Sequence, residues 1–177
     1  NPFYQGGTPI NTPVSIIEQN TYKITRHSTT QSVGLESKPV KGLKLNGLFT
    51  YYFYERDSFQ YYPSTLPKKQ EGEGGEAYRA HESNRSFNFE ASATYNKDWG
   101  KKVHHLDAVA VFNAYRFDKN VFSLYGKGYI IDENLWNNMG AVKDKNTYDA
   151  SSTYQLLTKM SFIARANYNY RNRYYLT

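Results

Sequence analysis

A strict alternation of apolar and polar side chains is what most constrains this chain. From Leu43 to Glu55, the residues Leu43, Leu45, Gly47, Phe49, Tyr51 and Phe53 alternate with Lys44, Asn46, Leu48, Thr50, Tyr52 and Tyr54. Successive side chains of a strand point to opposite faces, so this run has one apolar and one largely polar face. Phe87, Phe89, Ala91, Ala93 and Tyr95 repeat the pattern against Asn88, Glu90, Ser92, Thr94 and Asn96. A longer case sets Tyr154, Leu156, Met160, Phe162, Ala164, Ala166, Tyr168 and Tyr170 against Gln155, Lys159, Ser161, Arg165, Asn167 and Asn169. Two runs are weaker. Leu106, Ala108, Ala110, Phe112 and Ala114 oppose Asp107 and Asn113, with Val109 and Val111 blurring the polar face, and the stretch from about Ile24 to Ser37 is mostly Ser and Thr. Strands are therefore expected at about 24–37, 43–56, 86–96, 104–117, 153–169 and 174–177, an all-β chain.

The connections between them come in two kinds. Ser37 to Gly42, Lys97 to Lys102 and Tyr170 to Arg173 read as tight polar turns, whereas 57–85 and 118–152 far exceed the usual hairpin loop of about 2 to 5 residues. In an antiparallel meander the short and long connections fall at opposite ends. An antiparallel transmembrane β-barrel has this organisation, with short periplasmic turns and longer extracellular loops, and each expected strand before the one that begins at 174 is long enough for the ~9 to 11 tilted residues of a bilayer crossing. Tyrosine is abundant, 18 residues in all. Tyr51 to Tyr54 at one end, and Tyr95, Trp99, Tyr168, Tyr170, Tyr174 and Tyr175 at the other, fall where interfacial aromatic girdles belong. A soluble β-sandwich whose aromatic loops hold carbohydrate fits the alternation too and is the alternative.

Composition restricts function more by exclusion. Only 39% of the 177 residues are hydrophobic, and no apolar run approaches the ~20 residues of a membrane helix. A barrel remains compatible with this, because only alternate strand residues meet lipid. The net charge of +6 is spread along the chain rather than gathered into an arm or stripe, which argues against nucleic-acid binding. The absence of cysteine decides little. With no leader or initial Met, and with a strand beginning at its last residues, the chain is expected to be a segment of a larger barrel, since the smallest bacterial barrels have ~8 strands.

Several strings then carry a family resemblance. Asn1-Pro2-Phe3-Tyr4 is followed by Val40-Lys41-Gly42-Leu43-Lys44-Leu45, by Tyr95-Asn96-Lys97, by His104-His105-Leu106-Asp107-Ala108, and by the run from Ala164 through Arg165-Ala166-Asn167-Tyr168-Asn169-Tyr170-Arg171-Asn172-Arg173-Tyr174-Tyr175-Leu176-Thr177. In this order they resemble the mid-barrel of SusC-like TonB-dependent transporters of Bacteroidetes. The last string is the most specific, spanning a strand, its periplasmic turn and the next strand. The resemblance implies about six strands of a larger barrel of the ~22-stranded, plugged type. It also implies an outer-membrane location, a SusD-like lipoprotein closing over the mouth, and energy from the TonB–ExbB–ExbD complex acting on a plug that these residues do not include. The implied function is active import of an oligomeric nutrient, a glycan or a peptide, without a cofactor. A passive porin would fit the alternation equally, and only the family phrase argues against it.

Within that resemblance, residues acquire roles by position. Lys44, Asn46, Thr50, Asn88, Glu90, Ser92, Thr94, Lys159, Arg165 and Asn167 face the lumen as channel wall, and their neighbours along each strand face outer-membrane lipid. In the long loops, Tyr61, Tyr62, Arg79, Tyr129, Asp132, Glu133 and Trp136 are the candidate contacts for an oligosaccharide or peptide substrate or for the lid, or else they pack the loops on one another. Glu71-Gly72-Glu73-Gly74-Gly75-Glu76 reads as a mobile loop tip, lacking the strand before and helix after of a phosphate loop. Asp132-Glu133 lacks the alternating acids of a calcium loop. No catalytic motif and no metal-ligand spacing occurs. His104 and His105, adjacent on a strand, point apart and cannot chelate one ion. His27 and His81 stand alone, and Asn84-Arg85-Ser86 is an accidental glycosylation match.

Overall fold

The computed structural model describes residues 4–5, 8–9, 13–66 and 74–177. A short pair, β1 (Tyr4–Gln5) and β2 (Thr8–Pro9), is followed by α1 (Pro13–Gln19), whose opening proline lacks only an N–H that no helix could satisfy there. Six long and short strands follow: β3 (Thr21–Val40), β4 (Leu43–Tyr62), β5 (Gly75–Trp99), β6 (His104–Tyr129), β7 (Asp149–Tyr170) and β8 (Tyr174–Leu176). They form one sheet in the order β3-β4-β5-β6-β7-β8, each strand beside its neighbour in sequence. Among the described residues, no second sheet is large enough to face it as a sandwich would require.

β4 and β5 meet side chain to side chain at several levels. Asn46 meets Ser92, Tyr51 meets Phe87, Phe53 meets Arg85, Asp57 meets His81 and Phe59 meets Arg79. At the far edge Tyr168 pairs with Leu176 and Tyr170 with Tyr174. The turns use the backbone conformations that tight hairpins demand. Gly42 sits at φ 89, where an added Cβ would lie 2.2 Å from the carbonyl oxygen of Asn96, the residue whose N–H donates to the Gly42 carbonyl at 2.8 Å. Arg171 and Asn172 both take φ 51 between β7 and β8.

The strands run further than the alternation does. The expected loop at 57–85 is strand up to Tyr62 and again from Gly75, and the expected loop at 118–152 is strand up to Tyr129 and again from Asp149. Backbone ladders need only pairing partners, whereas the period-two signal needs faces in different solvents, so the signal fades before the pairing does. The acidic glycine run is divided accordingly: Gly75 and Glu76 open β5, and 71–73 lie outside the described residues. The Asn1-Pro2-Phe3 string also lies outside them.

Two compact units divide the chain. One comprises Asn1–His27, Tyr54–Ser83 and Lys119–Tyr154; the other comprises Ser28–Phe53, Asn84–Asp118 and Gln155–Thr177. The first holds every buried side chain among the described residues, with Tyr61, Ala77, Tyr129, Trp136 and Val142 as its core and Phe59, Leu135, Met139 and Tyr148 packed against them. The second holds none. It is a single layer of sheet with apolar groups in the open, Met160 at 75% and Phe162 at 70% exposure among them.

Candidate functional site

In the second unit, the two faces of the sheet differ in chemistry. One face carries Phe49 and Tyr51 beside Phe87, with centroids 6.5 and 5.0 Å apart, and Phe89 beside Phe112 at 6.4 Å. Along this face, β5 has no charge from Phe87 to Tyr95, and β6 has none from Leu106 to Ala114. β4 has none from Leu43 to Phe53. Charge returns at Arg85 and Arg116. Arg85 lays its guanidinium 5.9 Å over the Phe53 ring, as a cation does where apolar surface gives way to water. At the turn end of the same face the indole of Trp99 stacks on the His104 ring, 5.3 Å away and 3° from parallel. Tyr168, Tyr170 and Tyr174 continue this aromatic row.

The opposite face is a polar ladder, and most of the residues expected to line the wall belong to it. Asn46 donates to the Ser92 hydroxyl at 3.3 Å, Asn113 donates to Asn88 at 2.8 Å, and Arg165 donates to Asn167 at 3.1 Å. Thr50 and Ser32 share a hydrogen bond of 3.2 Å. Lys44 pairs with Glu36 at 2.8 Å, and the Thr94 hydroxyl donates to the Lys44 carbonyl at 3.5 Å. Glu36 also meets Lys38 at 3.1 Å. Glu90 and Lys159 are exposed. Glu36, Asn96, Asp107 and Asn113 belong to this ladder too; the last three fall on the polar faces read from the sequence but were not among the residues expected to line the wall, because cross-strand partners are visible only once the register is known. Asn96 donates to Asp107, and His105 lies between Asp98 and Asp107. His104, in contact with Trp99 and Tyr168, and His105 thus have separate partners, as their adjacency requires.

In the first unit, one carboxylate ties a candidate ligand contact to the chain around it. Asp132, opening a 3-10 turn (Asp132–Asn134), accepts the Tyr61 hydroxyl at 2.7 Å. It also accepts the Ser64 N–H at 3.0 and 3.1 Å and the Ser64 hydroxyl at 2.6 Å. Burial, with Asp132 beside it, drives the Tyr61 phenol well above its ordinary value. Tyr129 meets Tyr61 edge-on at 6.1 Å and donates to the Met139 carbonyl at 3.0 Å, and burial pushes its phenol up to about 12. Trp136 stacks on Phe59 at 5.4 Å, and the exposed Arg79 lies 5.3 Å over that same ring. Backbone approach completes the cluster: at Gly75 a Cβ would stand 2.3 Å from the Tyr61 hydroxyl and 2.9 Å from Asp132.

Tyr61, Tyr129, Asp132 and Trp136 are thus brought together, with Arg79 at the margin. Tyr62 stays outside, its hydroxyl accepting from Gln60 at 2.7 Å, and Glu133 is exposed on the 3-10 turn. Tyr61, Tyr62, Arg79 and Tyr129 stand on strands, not in loops, because β4, β5 and β6 extend so far. His81, expected to stand alone, meets Asp57 at 2.9 Å across the β4–β5 pair. Among the described residues no group of His, Cys, Asp and Glu is arranged to hold a metal ion.

No family model matches the chain, and no curated protein does. Solved structures do. The chain superposes on the RagAB peptide transporter with a TM-score of 0.82 at 18% identity, over 97% of this chain and 19% of that one. The RagAB peptide importer in its open-open state gives 0.80 at 18% identity over 97% and 19%. Its closed-closed state gives 0.80 at 18% identity over 94% and 18%. The chain therefore spans about a fifth of the length of the solved chains it matches, and it shares the fold of that portion of them.

Proposed function

We propose that this chain is part of the wall and outer loops of an outer-membrane import barrel of the SusC-like, TonB-dependent kind. The observation that carries the reading is the one-layer sheet with no buried side chain and an uncharged face. A single sheet with open apolar groups is unstable in water, and membrane-spanning backbone must pair all its polar groups. The runs from Phe87 to Tyr95 and Leu106 to Ala114 match the ~9 to 11 tilted residues of a crossing. Flanked by Arg85 and Arg116 on one side and by the Trp99 row on the other, they have the height of an apolar band between interfaces.

On this reading the face of Asn46, Asn88 and Ser92 lines a wet lumen and hydrates the passage, and no catalytic step falls to the chain. The long connections lie outside, where the Asp132 cluster stiffens the loops that meet a surface lipoprotein of SusD type. Import, rather than passive diffusion, and a peptide rather than a glycan, are favoured by the likeness to a peptide importer at a TM-score of 0.82. Energy then comes from TonB–ExbB–ExbD through a plug supplied by the rest of the barrel.

The test is uptake by cells making the intact protein, offered labelled oligopeptides and oligosaccharides with and without TonB. TonB-dependent peptide uptake, with a lipoprotein co-purifying in detergent, is the expected result. A protein monodisperse in buffer without detergent that binds glycan would replace this reading with the sandwich module.

A further inference from the structure

The aromatic row at the turn end is accompanied by a set of cations that the polar ladder does not use. Lys97, Lys101, Lys102, Arg171 and Arg173 are all exposed there, and none has an acidic partner among the described residues. The acids of this end are engaged elsewhere: Asp98 and Asp107 hold His105, and Glu36 holds Lys38 and Lys44. Arg171 lies 5.2 Å over the Tyr170 ring, which itself packs on His104 at 5.1 Å, so one cation is already docked on the aromatic row. Lys101 and Lys102 sit at φ 56 and 68 in the turn that joins Trp99 to His104.

Stacked rings with wet edges beside unpaired cations match a phospholipid headgroup, the rings lying at the glycerol level and the cations meeting phosphate. Resting on the membrane reading above, we infer that this end of the sheet is a docking surface for anionic phospholipid in the leaflet on the turn side. Charge complementarity selects the occupant: a zwitterionic headgroup brings its own cation and leaves these side chains unneutralised. A soluble acidic protein would need no such row of aromatic rings on the same face.

The test uses the intact barrel in nanodiscs of equal phosphatidylethanolamine and phosphatidylglycerol, with the lipids retained after detergent exchange counted by mass spectrometry. Wild type should retain phosphatidylglycerol in excess, and Lys101→Gln, Lys102→Gln and Arg171→Gln should each lower that excess about five-fold. Lys143→Gln with Lys145→Gln, on exposed loop residues, should leave it unchanged, and Arg171→Lys should largely keep it. Retention in bulk proportion by wild type, or equal losses from the loop-side pair, overturns the inference while leaving the barrel intact. A protein that never enters the bilayer overturns the membrane reading itself.

Discussion

Replacing Ala91 by arginine tests the two-faced wall most sharply, because Ser92, one residue on, belongs to the other face. Ala91 stands midway between Phe87 and Tyr95, the limits of the uncharged run of β5. Eight strand steps of ~3.3 Å at a tilt of ~40° give that run a height of about 20 Å, close to the apolar band of outer-membrane barrels. Ala91 therefore lies near the midplane, where a lipid-facing arginine costs about 2 to 4 kcal/mol. The same change at Ser92, beside Asn46 in the polar ladder, should cost under about 1 kcal/mol. Tyr95→Arg, at the edge of the band, should fall between about 0 and 1 kcal/mol beyond the loss of its ring. Ala91→Leu separates size from charge and should be near neutral. Urea unfolding of the intact barrel in lipid vesicles, followed by tryptophan fluorescence, supplies the numbers. Equal costs at Ala91 and Ser92 would refute the face assignment.

Asp132→Ala strands the Tyr61 hydroxyl and the Ser64 N–H, so it should lower the local stability of the loop cluster by about 2 to 3 kcal/mol; faster amide exchange at 64–66 with unchanged exchange at 87–95 is the expected signature. Gly75→Ala should open the same cluster, since its methyl would sit 2.3 Å from the Tyr61 hydroxyl, and Tyr61→Phe in the same chain should partly restore exchange protection. The Tyr61 phenol, raised above its ordinary 10.0, stabilises the cluster fully below that pH and ceases to as pH climbs through the folded value. A late-ionising tyrosine in the ultraviolet titration, lost in Tyr61→Phe, is expected; an unchanged titration curve counts against the buried Tyr61–Asp132 contact.

The parts of the fold legible in the sequence are those where two solvents meet one strand. Phe87 to Asn96 alternates because its faces lie in different surroundings, and the tight turns declare themselves through Gly42, Gly100 and the Arg171-Asn172 pair. In the first unit Asp57 meets His81 and Phe59 meets Arg79, so charged and aromatic groups share a pairing there and no apolar–polar period marks it. Tyr61, Tyr129, Asp132 and Trp136 stood out by residue type alone. That they share one cluster depended on contacts such as Tyr61 with Asp132, remote in sequence and invisible without the register. Gly75 was taken for loop flexibility, whereas its smallness serves close approach. The helix at Pro13–Gln19 left no clear signal, being too short for a helical period to emerge.

The most direct test of the membrane wall is a spin-label scan from Phe87 to Tyr95 in the intact protein, reconstituted in bilayers and exposed to oxygen and to a water-soluble nickel complex. The account predicts oxygen-dominated relaxation at Phe87, Phe89, Ala91 and Ala93, and nickel-dominated relaxation at Asn88, Glu90, Ser92 and Thr94. Nickel access at every position, or an alternation of opposite phase, would contradict it.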